Sequence, residues 1–220
     1  MNKGVAVLSD VEIREEIKNG KIILFDPERD CSENINNCSV DITLGEFYYR
    51  NSDSNMELYN PWIKSHVDNY WGIVNYADTV LTEEDKNLIG LEIGSKYIKL
   101  MPHETILGHT REFVGGMENI TTMIKARSSM GRNNVTICRD AGWGDINYVN
   151  RWTLEISNNG NTPVILPVGA RVGQIVFFYS GTAENPYSGK YQTTQTIDNL
   201  VKQWEPSMLL PKLYLESIQV

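Results

Sequence analysis

The chain has 220 residues, 41% of them hydrophobic and 22% charged, with a formal net charge of −8 and a pI near 5.0. That length is enough to bury a core of ample size and by itself leaves one domain or two open, and the acidic balance argues against a general nucleic-acid binder, whose electrostatic footprint is basic. Cys31, Cys38 and Cys138 have no paired spacing, and neither an apolar leader nor an apolar run of membrane-spanning length occurs; the expectation is a cytoplasmic protein partnered by neither membrane nor nucleic-acid polymer.

Leu8 to Asn19 predicts a short helix, with Ser9 as N-cap, Glu12 as its capping-box partner and Gly20 as the stop. Lys21 to Phe25 follows as a strand that ends at the turn pair Asp26-Pro27. Ser39 to Gly45 is apolar at alternate positions, the pattern of a half-buried strand, and sets Asp41 between Val40 and Ile42. Residues 51–99 are rich in Asn, Asp and aromatics (Tyr59, Trp62, Tyr70, Trp71, Tyr76); such clusters serve packing more often than base stacking, so no ligand site is built from them. From Tyr97 onward, short strands are separated by Gly, Pro and Asn: Tyr97–Leu100, Thr105–His109, Thr121–Ala126, Thr136–Cys138, Trp152–Asn158, Val164–Leu166 and Gln174–Tyr179. Strands of this length and spacing indicate an all-β sandwich or barrel, with helix confined mostly to the N-terminus. Asn158-Asn159-Gly160-Asn161 predicts a tight hairpin turn, because Asn and Gly tolerate positive φ, and Pro167 with Gly169 predicts another.

The chemistry concentrates between Lys125 and Ser157. Arg127, Ser128, Ser129 and Arg132 put two guanidiniums and two hydroxyls around Gly131, a set suited to a polyphosphate: Arg meets phosphate oxygens with paired bonds, and hydroxyls and turn N–H groups fill the rest. Zinc-dependent deamination needs the H-x-E and P-C-x-x-C spacings, and neither occurs, so no metal ligand set is assigned. Neither Ser128 nor Ser129 stands in a nucleophile elbow. What remains is a carboxylate that activates water. Period two from Trp152 puts Leu154 and Ile156 on one face and Thr153, Glu155 and Ser157 on the other. Glu155 is then either a solvent-facing strand residue or, in a closed pocket that raises its pKa, a base and proton shuttle.

RSSMGR, AGWGD and WTLEIS, in that order, resemble the dCTP deaminase branch of the trimeric dUTPase superfamily. The flanks SVDITLG, PHETILGHT and PVGARVGQIVFF resemble further segments of the same family. The resemblance implies a mainly β fold, a dUTPase-like distorted barrel or jelly roll with a short N-terminal helix. It implies one domain over residues 1–220, with 51–99 an insertion and 200–220 a C-terminal extension, assembled as a homotrimer with active sites shared between neighbouring chains.

The function implied is hydrolytic deamination of dCTP to dUTP and ammonia without zinc. Glu155 would activate the water that attacks C4, with Ala141 close to that carbon and Mg2+ carried by the triphosphate. Arg127, Ser128, Ser129 and Arg132 would hold the phosphates, Asp41 would support the shared site, and Tyr187, Lys190 and Tyr191 of NPYSGKYQ would fold over the nucleotide, joined by Gln195 after a one-residue shift. Asp145 matches the dUTPase carboxylate that activates water against the α-phosphate, so a bifunctional enzyme or a dUTPase stays open. Where the family has an apolar residue and a Thr, this chain has Arg139 and Asp140, expected to face the nucleotide and to pair with each other, another chain or the ligand; Asn147 and Asn150 replace glycines. These departures keep open a silent nucleotide-binding regulator, or an enzyme for a modified or monophosphate deoxycytidine nucleotide.

Overall fold

Alternating apolar positions are satisfied by sheet, and in the computed structural model, which describes residues 6–51, 56–192 and 196–217, antiparallel strands carry most of the architecture. One sheet runs Val135–Thr136, Val149–Asn158, Thr105–Gly116, Phe47–Arg50 and Asn75–Tyr76, with Ile22–Phe25 also paired to Thr105–Gly116. The second runs Trp143–Gly144, Ile120–Ala126, Arg171–Tyr179, Ser39–Thr43 and Ile35–Asn36. Val164–Pro167, Lys96–Leu100 and Asp78–Thr79 form a third. Leu154, Ile156 and Ile106 of the first sheet meet Ile42, Ile124, Ile175 and Phe177 of the second in one core, each at most 2% exposed. The mainly β expectation holds, and no helix among the described residues is long and apolar enough to cross a membrane.

The N-terminal helix is Asp10–Lys18, closed by the expected capping box, in which the Ser9 backbone N–H donates to Glu12 Oε2 at 2.8 Å; Gly20 follows at φ +75°. Helix is not confined there, since Lys64–Trp71, Glu83–Ile89, Ser128–Arg132 and Ile197–Gln203 are helical too. The third strand of the first sheet does not stop at His109 but continues to Gly116. Its Arg111-Glu112 pair looks like a break, yet Glu112 is fully buried: it accepts from the Thr43 N–H at 3.0 Å, the Thr43 hydroxyl at 2.6 Å and Asn34 Nδ2 at 3.2 Å, and pairs with Arg29. A buried carboxylate is tolerated when every donor around it is aimed at it.

Neither expected hairpin forms. Val164–Pro167 pairs with Lys96–Leu100, and Arg171–Tyr179 with Ser39–Thr43 and Ile120–Ala126, so both turns pass the chain between sheets. Asn158 builds the first corner with its side chain: 1% exposed, it donates to the Leu100 and Thr162 carbonyls at 3.2 and 2.8 Å and accepts from the Gly160 N–H at 2.9 Å. The predicted Thr136–Cys138 strand is shorter and earlier, Val135–Thr136.

After residue 196 the chain returns to the first sheet. Trp204 packs its ring 4.9 Å from His109 and 6.0 Å from Phe47, and the Arg151 guanidinium lies 4.6 Å over it. This anchors the C-terminal segment beside the strand that carries Glu155.

Candidate active site

Glu155 sits opposite Leu107, and Leu107 opposite Tyr49, so this row shares one face of the first sheet. Leu154 and Ile156 point into the core at 0% exposure, while Thr153 and Glu155 line a cavity of about 430 Å³. The opposite wall comes from Ala141, Trp143 and Asp145, again alternate positions. The two glycines between them let that wall lie flat on the second sheet. A Cβ at Gly144 would lie 2.1 Å from Thr122 Oγ1 and 2.5 Å from the Trp152 ring, and one at Gly142 would lie 2.7 Å from the Ile124 carbonyl oxygen.

A third side is aromatic. Tyr148 meets Trp152 and Tyr187 edge to face, with ring centres 5.3 and 5.2 Å apart, and Tyr191 continues the wall. The segment carrying Tyr187 and Tyr191 is tied to the strand that carries Glu155 and to the turn just before it. The Val149 N–H donates to Gln192 Oε1 at 2.7 Å, Asn150 Nδ2 donates to the Tyr191 carbonyl at 2.7 Å, and the Tyr187 N–H donates to the Ile146 carbonyl at 3.0 Å. This gives the two unusual asparagines a reason. Asn150 is the tie itself, and Asn147 sits at φ +71°, a left-handed conformation that glycine or Asn adopts readily. Trp71, Leu107, Leu209 and Pro211 complete the enclosure.

The cavity shapes the electrostatics of Glu155. Burial raises its pKa above the ordinary 4.5, while the backbone N–H groups of Arg139 and of Glu155 itself pull it down. Its Oε2 is buried with no hydrogen-bond partner among the described residues, an unsatisfied acceptor on a residue that lines the cavity. Burial, and then the negative charge of Glu155, push the Cys138 thiol up to about 11, so it stays protonated beside the site. Among the described residues no group of three or more His, Cys, Asp or Glu side chains gathers as a metal ligand set.

Of the residues singled out from the sequence, the structure brings Glu155, Asp145, Ala141, Tyr187 and Tyr191 to one cavity. Lys190 stands between the two tyrosines and pairs with Glu216. Arg127, Ser128, Ser129 and Arg132 form the short helix Ser128–Arg132 and its N-cap, off this chain's own cavity wall, with Ser128, Ser129 and Arg132 exposed. Asp41, 5% exposed, supports that helix from beneath, pairing with Arg127 at 2.6 Å and Arg171 at 3.2 Å. Arg139 and Asp140 are exposed and are not charges buried against the base. The Arg139 guanidinium donates to the Thr105 and Ser157 hydroxyls at 3.0 and 3.3 Å, and Arg139 approaches Glu155 through its backbone. Gln195 lies outside the described residues. Thr153 and Trp143 were readable from the same alternation as Glu155 and Asp145; Trp71, Leu209 and Pro211 carry no local signature.

Residues 7–180 match a family model described as dCTP deaminase-like. A relative from Methanobrevibacter smithii named "dCTP deaminase, dUMP-forming" is 32% identical over 215 residues, 96% of this chain and 98% of that protein. A dCTP deaminase from Natronomonas pharaonis is 30% identical over 191 residues, 84% of this chain and 89% of the relative. Among solved structures, the 2'-deoxycytidine 5'-triphosphate deaminase from Agrobacterium tumefaciens shares the fold with a TM-score of 0.55 at 18% identity, over 80% of this chain and 50% of that longer one. With the family model covering most of its length and such relatives spanning nearly all of it, the chain belongs to the dCTP deaminase-like family.

Proposed function

We propose that this chain hydrolyses dCTP to dUTP and ammonia without zinc, with Glu155 as the group that moves the protons. The observation that carries the reading is the half-buried Glu155 carboxylate, one oxygen unpartnered, in the wall of a cavity large enough for a nucleobase. In its ionised form Glu155 takes a proton from water as the oxygen bonds to C4 of the ring, and passes that proton to N3. A second transfer, from the new hydroxyl to the exocyclic nitrogen, breaks the C4–N bond. Ammonia leaves, the water oxygen becomes the new C4 carbonyl of the uracil ring, and the Glu155 carboxylate is restored. The aromatic walls exclude bulk water and hold the ring edge toward Glu155.

The exposed Ser128, Ser129 and Arg132 support a homotrimer with shared sites, because these phosphate-type donors stand off their own chain's cavity, where a neighbour's could meet them. Magnesium, in this reading, arrives on the triphosphate and is held by phosphate oxygens and water. The test is a panel of dCTP, dCMP, CTP, dUTP and 5-substituted dCTP, read for ammonia, base and phosphate products, with the mass of the assembly measured by sedimentation. Nucleotide binding with no ammonia from any cytosine substrate would identify a silent binder and end the deaminase reading.

Two observations favour a second activity: Asp145 shares the cavity with Glu155, and the Methanobrevibacter relative is named as dUMP-forming. In that case Asp145→Asn is expected to stop pyrophosphate release while ammonia release continues. A wild-type chain that yields dUTP and no pyrophosphate removes this reading.

A further inference from the structure

The C-terminal segment brings a second ammonium to the nucleotide-facing wall. Lys190 lies between Tyr187 and Tyr191, and Lys212 follows Pro211; the two tyrosines and the proline all line the cavity. Each ammonium sits 5.5 Å from the centre of the Tyr191 ring, and the Lys212 ammonium donates to the Lys190 carbonyl at 3.1 Å. The Lys212 backbone N–H donates to the Tyr191 hydroxyl at 3.1 Å, which fixes the two lysines relative to each other. In a chain of net charge −8 this is a local concentration of positive charge, answered by the Glu216 carboxylate on Lys190 and by the Glu205 charge acting on Lys212.

We infer that Lys190 and Lys212 form a two-ammonium seat for the terminal phosphates of a nucleotide at the rim of the cavity, and that Glu216 is the internal anion those phosphates displace. The inference rests on the nucleotide reading above and adds Lys212 and Glu216 to it. A lysine binds phosphate as a point charge, and a phosphate with more charge and more acceptor oxygens than a carboxylate competes well for the same donor. Burial lowers the pKa of Lys212, the Glu205 charge opposes that shift and the neighbouring Lys190 charge adds to it, and an arriving anion relieves the net cost. The arrangement therefore favours a triphosphate over a monophosphate, whose single phosphate stays nearer the base. It also links phosphate arrival to the segment that holds Leu209 and Pro211 against the cavity.

The test is calorimetric titration of the full chain with dCTP, dCMP and inorganic tripolyphosphate. Lys212→Met is expected to weaken dCTP and tripolyphosphate binding about tenfold, the worth of one charge-assisted bond, and dCMP binding less than about twofold. Lys212→Arg keeps the charge and is expected to restore the tight binding, and Glu216→Gln to strengthen it severalfold. Lys202→Met removes the same charge from the exposed face of the helix Ile197–Gln203 and is expected to change nothing. Equal losses for dCTP and dCMP, equal losses in the Lys212 and Lys202 variants, or a wild type that binds tripolyphosphate no better than it binds dCMP would each overturn the seat. Because binding is read without turnover, the two conclusions separate. A chain that binds in this pattern yet releases no ammonia keeps the seat and loses the deaminase, and a chain that deaminates dCTP with no selective loss in Lys212→Met does the reverse.

Discussion

Replacing Glu155 with Gln is expected to lower ammonia release from dCTP by about a thousandfold or more, since the amide neither takes a proton from water nor returns one. The same change is expected to stabilise the fold at neutral pH. The sign follows from the direction of the shift: burial raises the folded-state pKa of this carboxylate, so the native state binds a proton more tightly than the unfolded chain does. The penalty of the charge is absent below the unfolded pKa, grows as pH rises through the interval up to the folded pKa, and is fully present above it. Glu155→Gln removes a charge and keeps the shape, which is expected to add about 1 kcal/mol and about 2–4 °C to the melting temperature at pH 8. That gain vanishes near pH 4. In the wild type, activity is expected to fall on acidification with a midpoint above the ordinary 4.5, as the proposed base becomes protonated. Full activity in Glu155→Gln, or a melting temperature that drops at pH 8 and holds at pH 4, would contradict the assignment.

The opposite pattern is expected at Glu112. Glu112→Ala leaves the buried Thr43 N–H and hydroxyl without their acceptor, takes one of two acceptors from Asn34 Nδ2, which keeps the Asp41 carbonyl, and one of two buried carboxylates from Arg29, which keeps Asp26. Removing one side of such a network costs about 3–5 kcal/mol, or about 10 °C in a chain of this size. None of these four residues lines the cavity, so the folded fraction at low temperature keeps its turnover. A thermal melt followed by circular dichroism, beside an ammonia assay at 20 °C, checks both halves. A melting temperature within 2 °C of wild type would show that the buried carboxylate contributes nothing net to the fold. His109, by contrast, makes the fold sensitive to acid. Burial holds it neutral with a pKa lowered to about 3, so its contribution is lost as pH falls from 6.5 toward that value.

How far the residues could be read in advance depends on the range of the force involved. Ser9 and Glu12 cap the first helix through contacts three residues apart, and the strand at Glu155 sorts its side chains by a period of two; both were legible. The capping box of Thr82 and Asp85, followed by Gly90 at φ +76°, was equally local and passed unread inside an aromatic-rich stretch. Arg111-Glu112 and Arg139-Asp140 are both charged pairs inside strand-like sequence, and nothing local distinguishes them. The first holds a fully buried carboxylate answered from the strand Ser39–Thr43 and from Asn34 and Arg29 in the connection before it, and the second lies on the surface.

By itself, the order of residues determined the mainly β character, the separation of core and site faces along Val149–Asn158, and the family to which the chain belongs, because periodicity, caps and motif spacing act over a few neighbouring positions. Only the tertiary structure decided that Asn158 turns the chain into another sheet, that Asp41 backs Arg127, and that Trp71, Leu209 and Pro211 close the cavity around Glu155. Those outcomes depend on which distant segments bury their apolar surface together, and that choice is made by the packing of the whole core.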